Sequence, residues 1–289
     1  MAGTGVRDVP RAVAAATSTA SAVGLTVDEA IVLHASNRLA LRLLPCDVLA
    51  RVALAGHDSA QFEVDLATRL AETHSPVAAL DPRAAPRVYD RDGFAVTLWT
   101  HYARRPSREL SPGDYADALS RLHDGMQRLD LTTPHFTDRV KEAELLVASH
   151  DLTPELADAD RHLVLNTLDA ATRAIRQRGA AEQILHGEPH PGNVLNTDSG
   201  PLFIDLETCC RGPVEFDLAH VPNEVSERYP IVDQALVRQC RVLVFAMVAA
   251  WRFDARDRFP AGRQAAEEHL SALRAGPPYP ALGAITGLE

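Results

Sequence analysis

Apolar residues in the first third of the chain fall into short runs that are separated by polar turns. Short apolar or alternating runs bounded by turn residues are typical of β-strands. They predict a three-stranded meander over residues 30–33, 39–44 and 48–53, and a second strand pair over 87–90 and 94–99. Between these groups, apolar positions on one helical stripe predict a helix at Ser59–Glu72. Residues 1–25 predict a frayed leader and then a short helix.

Helical periodicity dominates the remainder of the chain. A helix start at Ser111 precedes an apolar stripe, and Pro154 suits the first turn of a later helix. Further stripes predict helices over residues 136–149, 154–178, 231–252 and 261–274. The pattern changes at a predicted hairpin, where apolar segments 194–196 and 202–204 flank a Gly/Pro/Asp-rich turn. The chain is therefore expected to be rich in strands first and in helices later.

Polar groups suited to phosphoryl transfer surround this hairpin. Glu188 lies five residues before Asn193, and a loop of that length can turn the Glu188 carboxylate toward a substrate hydroxyl. The hairpin is expected to fold Asp205 back beside Asn193. An amide oxygen and a carboxylate could then share one hard cation such as Mg²⁺.

The same residues have other interpretations. His186 and Glu188 match the first half of a zinc deaminase signature, but the P-C-x-x-C half is missing from the chain. His186 and His190 have the spacing of a helical zinc-binding pair, whereas Pro189 and Gly192 argue against a helix there. An ordinary His/Pro/Gly turn before a hairpin is the plainest alternative, and the ordered spacing to Asp205 argues against it.

Composition narrows the classes of function. The chain has 289 residues, a formal net charge of −10 and a pI of about 5.6, which argues against nucleic acid as the main partner and suits a cationic substrate. Its four cysteines show no C-x-x-C spacing, which fits a reduced cytoplasm. The longest apolar run, residues 242–251, is about half of the ~20 residues that a membrane-spanning helix needs. No membrane partner is therefore expected.

The segments HGEPHPGN, at 186–193, and FIDLE, at 203–207, resemble the catalytic loop and metal motif of the aminoglycoside phosphotransferase family. These are small-molecule kinases of the protein-kinase-like fold. The resemblance implies a bilobal α+β fold with a small antiparallel sheet in an N-terminal nucleotide-binding lobe, residues 1–100, and a larger α-helical lobe, residues 101–289. It implies Asn193 and Asp205 as Mg²⁺ ligands. Glu188 occupies the position of the catalytic base, which is normally Asp in the family.

The same resemblance assigns part of the nucleotide site. Ser36 and Asn37 lie in the turn that covers the nucleotide phosphates, although this turn has no glycine. Arg51 stands where the family usually has a lysine that contacts the α and β phosphates, and it keeps the charge but has a planar fork. Glu63 on the following helix is the implied partner of Arg51. The alternative is that Arg51 and Glu63 are exposed surface charges.

Two further assignments also come from the resemblance. The segment with Leu98, Trp99 and Thr100 is the implied hinge, whose backbone groups would read the adenine edge. Asp217 is implied to brace the catalytic loop by accepting backbone hydrogen bonds, and its alternative is a helix N-cap.

The expected reaction is transfer of the γ-phosphoryl group of ATP or GTP to a hydroxyl of a small polar molecule. The acceptor is expected to be cationic or polar, such as an aminoglycoside or another antibiotic, with either antibiotic resistance or phosphorylation of a metabolite as the physiology. The competing hypothesis is a degenerate kinase-like protein that binds nucleotide with little or no transfer. Arg51, the glycine-free turn and Glu188 motivate that hypothesis.

Overall fold

The computed structural model describes residues 8–35, 38–56, 59–103, 110–257, 259, 261–277 and 279. The chain divides into two compact units. The first unit comprises residues 1–108 and 195–207, and the second comprises residues 109–194 and 208–289. The chain thus returns to the first unit for a short stretch late in the sequence.

The first unit is built on a five-stranded antiparallel sheet with the strand order β1-β2-β3-β5-β4. Its elements are α1 (Val9–Ala22), β1 (Val27–Ala35), β2 (Leu39–Pro45), β3 (Val48–Leu54), α2 (Ser59–Glu72), β4 (Tyr89–Arg91) and β5 (Phe94–Thr100). All five predicted strands and the predicted helix are confirmed. The fourth strand begins two residues later than predicted, because the Arg87 N–H donates to the Ala85 carbonyl (2.9 Å) in a turn.

Helix α1 closes one face of this sheet. The Asp8 carboxylate caps its first turn by accepting from the Arg11 N–H (3.2 Å). Ala12, Ala15 and Ala16 are fully buried in the same core as the inward residues of the central strands. Small side chains allow the helix axis to approach the sheet closely. Within the region predicted as a frayed leader and a short helix, Val9–Ala22 form a helix of 14 residues.

Helices form most of the second unit. Their bounds are α3 (Pro112–Gln127), α4 (Phe136–Ala148), α5 (Asp158–Arg178), α6 (Val214–Leu218), α7 (Asn223–Ser226), α8 (Gln234–Arg252) and α9 (Gly262–Ala275). The remaining strands of the chain are β6 (Gln183–Leu185), β7 (Val194–Thr197), β8 (Gly200–Phe203) and β9 (Cys210–Gly212). Strand β6 pairs with β9, and β7 pairs with β8. The predicted hairpin and the predicted long helices are confirmed.

The start of α5 differs from the prediction by four residues. The predicted first-turn residue Pro154 precedes the helix, which begins at Asp158. The guanidinium of buried Arg161 donates to the carbonyls of Thr153 (2.9 Å) and Leu156 (3.2 Å), which holds the preceding residues in a turn. A contact of this kind leaves no local sequence signal.

Helix α8 is the central element of the second unit. It packs against α4, α5 and α9, and most of its side chains are buried. The described residues contain one helix that is long and apolar enough to cross a membrane, and it is this one. A buried core helix passes the same test, so this observation is weak evidence for a membrane span.

The hairpin of β7 and β8 returns the chain to the first unit. The Thr197 hydroxyl donates to the Gly200 carbonyl (2.7 Å) across the turn, and Gly200 has a φ of +107°. The Phe203 backbone then bonds the segment before β4, donating to Pro76 O (2.8 Å) and accepting from the Ala78 N–H (2.9 Å). These two bonds fix the end of the hairpin, and Asp205 follows directly.

Candidate active site

Asp205 contacts Arg51 inside the first unit. The Arg51 Nη2 donates to Asp205 Oδ1 (2.7 Å), while its Nη1 donates to the Glu63 carboxylate. Glu63 is 1% exposed and Arg51 is 17% exposed. The interpretation of Arg51 and Glu63 as exposed surface charges is therefore wrong. Asp205 itself has a φ of +66°, in the left-handed region that few residues other than glycine adopt, although aspartate is among those that tolerate it.

Sequence reasoning missed Arg38, which completes this group. Its Nη1 donates to Glu63 Oε2 (2.6 Å), and its Nη2 contacts Ser59 Oγ (3.2 Å) and the Glu207 carboxylate. Glu63 Oε1 also accepts from the Leu206 N–H (3.2 Å). The sequence contains one hint of this role, which is that Arg38 directly follows Ser36 and Asn37, the pair that the resemblance assigns to the nucleotide phosphates.

Among the described residues, this group has more acidic than basic side chains. Two guanidinium groups, Arg38 and Arg51, face three carboxylates, Glu63, Asp205 and Glu207. Burial and the charge of Asp205 raise the pKa of Glu207 to about 7, against the opposing effect of Arg38. Burial favours the neutral form of Arg51, but Glu63 and Asp205 outweigh it and raise the pKa of Arg51.

The predicted hinge is part of the same unit. The Leu98 carbonyl accepts from the Asp81 N–H (3.0 Å), and the Thr100 N–H donates to Ala79 O (2.9 Å). Trp99 pairs with Leu49 in the sheet. The Leu98 carbonyl and the Thr100 N–H already have hydrogen-bond partners within the first unit. An adenine base would therefore be contacted by the side chains of the hinge or by residues after Thr100. The assigned pair Ser36 and Asn37 lies outside the described residues.

In the second unit, Asp217 holds the start of the loop at residues 186–193. Its fully buried carboxylate accepts from the N–H groups of His186 (2.9 Å) and Gly187 (2.8 Å). It also accepts from Nε2 of buried His123 (2.9 Å), whose Nδ1 bonds the Tyr229 hydroxyl (2.7 Å). Burial alone would raise the pKa of Asp217, but the hydrogen bond and charge of His123 lower it. The bracing role is confirmed, and the N-cap alternative is wrong because Pro213 occupies that position.

Gly187 sets the path of the loop. Its φ is +90°, and a Cβ at this position would lie 2.0 Å from the Thr208 carbonyl oxygen. The Thr208 hydroxyl also donates to the His186 carbonyl (3.1 Å). Only glycine fits both the conformation and the space.

Glu188 and Asn193 lie on this loop in the second unit. The Asn193 Nδ2 donates to the Glu188 carbonyl (3.0 Å), so its Oδ1 is the atom suited to a cation. His190 Nδ1 accepts from the Gly192 N–H (3.1 Å) at the start of a short 3-10 turn, Pro191–Asn193. His186 and His190 therefore do not lie on one α-helix, and the helical zinc pair is wrong. Asn193 and Asp205 belong to different units, so their sharing of a cation stays a prediction.

The Glu188 carboxylate accepts a hydrogen bond from Arg139 on α4. Burial alone would raise the pKa of Glu188, but the charge and the hydrogen bond of Arg139 lower it to about 2. The carboxylate is therefore ionised throughout the neutral range. It is suited to orient a hydroxyl group rather than to bind a proton tightly.

A model of the phosphotransferase enzyme family matches residues 34–278. This span covers most of the chain, including every residue assigned above to nucleotide, metal or catalysis. The chain belongs to this family. Among curated protein sequences, no relative matches the chain.

Solved structures show the fold of this phosphotransferase. An aminoglycoside 2′-phosphotransferase-IIIa in its GDP complex superposes with a TM-score of 0.71 at 11% identity, over 93% of this chain and 99% of that one. An amicoumacin kinase, hAmiN, gives 0.67 at 10% identity over 97% and 100%. Choline kinase LicA from Streptococcus pneumoniae gives 0.64 at 14% identity over 90% and 98%. The phosphotransferase thus has the predicted bilobal, protein-kinase-like α+β fold.

Buried His220 makes the stability of the phosphotransferase depend on pH. Its Nδ1 donates to the Phe216 carbonyl (2.9 Å). Burial lowers its pKa from 6.5 to about 4, with Arg139 acting in the same direction and Glu188 and Asp217 against it. The unfolded chain binds this proton below pH 6.5 and the folded chain does not. Stability is therefore lost as the pH falls from 6.5 towards 4.

We expect His220→Gln to flatten this dependence. A shift of this size removes about 2 kcal/mol of the free energy of unfolding between pH 7 and pH 5, and the variant should lack that loss. Urea unfolding at both pH values measures it. Burial also lowers the pKa of His269, so some loss of stability at low pH will remain in the variant. The contribution of His220 is therefore the difference between the losses of unfolding free energy in wild type and in the variant. Equal losses in the two proteins would contradict the assignment.

Proposed function

We propose that this phosphotransferase transfers the γ-phosphoryl group of ATP or GTP to a hydroxyl of a small polar molecule, with Mg²⁺. The observation that carries the proposal is the position of Arg51, which bridges buried Glu63 and Asp205. A buried cation fixed by a helix carboxylate beside a metal-binding aspartate is the arrangement that phosphoryl transfer uses to hold nucleotide phosphates.

Asp205 and Asn193 are the proposed Mg²⁺ ligands. Carboxylate and amide oxygens are hard donors, and Mg²⁺ is commonly bound by one or two carboxylates together with substrate phosphates. Asp205 lies in one cluster with two further carboxylates, Glu63 and Glu207, and a carboxylate-rich cluster supports a cation there. When bound, the ion would neutralise charge on the phosphates. Arg51 would contact the same phosphates, with Ser36 and Asn37 covering them and Leu98, Trp99 and Thr100 lining the adenine.

The proposed acceptor is cationic or polar, and the proposed location of the enzyme is the cytoplasm. The net charge of −10 favours a cationic molecule. The similar solved structures are named for an aminoglycoside, amicoumacin and choline, and choline carries a fixed positive charge. An antibiotic or a cationic metabolite would fit.

A phosphorylation screen tests this function. ADP or GDP release is followed with Mg²⁺ and nucleotide across aminoglycosides, macrolides, peptide antibiotics, amino sugars and choline-like alcohols. We expect at least one acceptor to raise the rate far above hydrolysis by water, with a phosphorylated product in the mass spectrum. A panel in which no compound is phosphorylated, despite nucleotide binding, would favour the degenerate protein. Arg51 and Glu188 each keep a charged partner, which does not favour degeneration.

The proposed role of Glu188 gives a graded prediction. Glu188→Asp moves the carboxylate by about 1 Å, and a displacement of that order can cost ~10²-fold in kcat where positioning dominates. Glu188→Gln should lose more, because the amide cannot accept the proton of the acceptor hydroxyl. Initial rates with the best acceptor measure both. Glu224→Gln, an exposed change on α7, is the control and should leave the rate unchanged. A Gln variant as fast as wild type would exclude the base role.

A further inference from the structure

Arg139 makes two polar contacts with the catalytic loop. Its Nη2 donates to Glu188 Oε1, and its Nη1 donates to the Gly187 carbonyl (3.3 Å). The Arg139 side chain is 17% exposed and that of Glu188 is 24% exposed. One guanidinium thus binds both the carboxylate in the position of the base and the backbone just before it.

The guanidinium is itself held in place. It lies over the ring of Trp251 near the end of α8, 4.7 Å from the ring centroid. Arginine stacks on aromatic rings and keeps a planar fork, so little freedom is lost when it binds a carboxylate. Helix α4, which carries Arg139, begins with a capping box between His135 and Asp138. The Arg139 guanidinium is therefore held in position both by helix α4, which carries it, and by the ring of Trp251.

A glutamate needs such support more than an aspartate does. Its extra methylene adds a rotatable bond, and its carboxylate can take several positions at the end of the longer arm. Transfer rates depend steeply on the placement of the groups that contact the acceptor. An aspartate on the same loop would be fixed mainly by its short side chain.

We infer that Arg139 is a positioning residue that fixes the carboxylate of Glu188, so that the Arg139–Glu188 pair takes the place of the single aspartate. The inference rests on the proposed function. The ion pair leaves the carboxylate a weak base, but phosphoryl transfer relies mainly on positioning and electrostatic stabilisation. In this proposal, Arg139 binds one oxygen of the Glu188 carboxylate and thereby keeps the other oxygen pointing toward the acceptor hydroxyl.

A purely structural role for Arg139 predicts a different result. If Arg139 only tied α4 to the loop, its loss would lower activity equally whether residue 188 is Glu or Asp. If it positions the long side chain, its loss would matter for Glu188 and hardly at all for Asp at that position. A double-mutant cycle separates the two roles.

The experiment compares wild type, Arg139→Met, Glu188→Asp and the double variant. The probes are Mg²⁺-ATP with water as acceptor and Mg²⁺-ATP with the most active compound of the screen. We expect Arg139→Met to lower kcat by about 30- to 100-fold in the Glu188 background and by less than about 3-fold in the Asp background, with KM for Mg²⁺-ATP nearly constant. The kcat of Arg139→Lys should lie between those of wild type and Arg139→Met, because lysine keeps the positive charge but lacks the planar guanidinium.

Arg252 is the matched control. It also pairs with one carboxylate, Asp257 (3.1 Å), and lies over one ring, Phe259 (4.2 Å to the centroid), and within the described residues its hydrogen bonds go to Asp257 rather than to the loop. Arg252→Met should lower the thermal unfolding midpoint about as much as Arg139→Met does, but it should change kcat by less than about 3-fold.

The outcomes distinguish the inference from the proposed function. Equal losses of kcat from Arg139→Met in both backgrounds, in an active wild-type enzyme, would overturn the positioning role alone. Unchanged kcat in Arg139→Met would overturn it as well. A wild-type protein that neither phosphorylates any acceptor nor hydrolyses ATP would overturn the proposed function, and the positioning role with it.

Discussion

Asp205→Asn is expected to lower kcat by about 10²- to 10³-fold, the size of effect seen when one preorganised electrostatic contact to the transition state is removed. The amide is close to the carboxylate in shape and can still accept from Arg51. Arg51 also remains held by buried Glu63. The first unit should therefore stay folded while a neutral group replaces the proposed anionic metal ligand.

Initial rates at saturating acceptor and nucleotide measure this loss, and circular dichroism checks the fold. Asp65→Asn is the control, because Asp65 is exposed on α2 of the same unit and accepts a local hydrogen bond from Gln61 (2.7 Å). A variant of Asp205 that keeps more than a tenth of wild-type kcat would mean that the metal ligands have been assigned wrongly.

Asp217→Ala is expected to cost about 3–5 kcal/mol of unfolding free energy, because it leaves the buried partners of a charged group without an acceptor. The backbone N–H groups of His186 and Gly187 and the Nε2–H of His123 all lose their bonds. Asp217→Asn keeps one acceptor oxygen and should cost less. Because these bonds hold the loop that carries Glu188, activity should fall as well.

Urea unfolding at pH 7 measures the loss. Asp233→Ala is the comparison, since Asp233 is an exposed N-cap of α8 that accepts from Ala235 N (2.8 Å), and loss of such a cap costs about 1 kcal/mol. Equal costs for the two variants would show that the bonds to the loop contribute little to stability.

Elements with a strong local pattern could be predicted well from the sequence. Buried residues of β2 and β3 alternate with less buried ones. This two-residue period is the period of a β-strand, so the strands could be predicted from the sequence. Helix α2 was predicted with its observed bounds because its apolar stripe lies directly on the core. The start of α5 could not be predicted, since it depends on the buried side chain of Arg161 rather than on Pro154.

The candidate residues of the site show the same limit. The loop motif carries Glu188, Asn193 and Asp205 at short spacings, and a motif of that length can be recognised. Arg38 and Arg139 could not, because their carboxylate partners lie 169 and 49 positions away in the chain. Arginines are common on surfaces, and nothing in their neighbouring residues distinguishes these two.

Glu63 bears on how such an enzyme can be controlled. Both of its oxygens are bound to arginines, and one also accepts from the Leu206 N–H. In protein kinases, swinging the helix that carries the corresponding glutamate turns activity off. A similar swing of α2 would have to break contacts to Arg38, Arg51 and the backbone after β8 together. The contacts of Glu63 therefore favour the position of α2 that the structure shows.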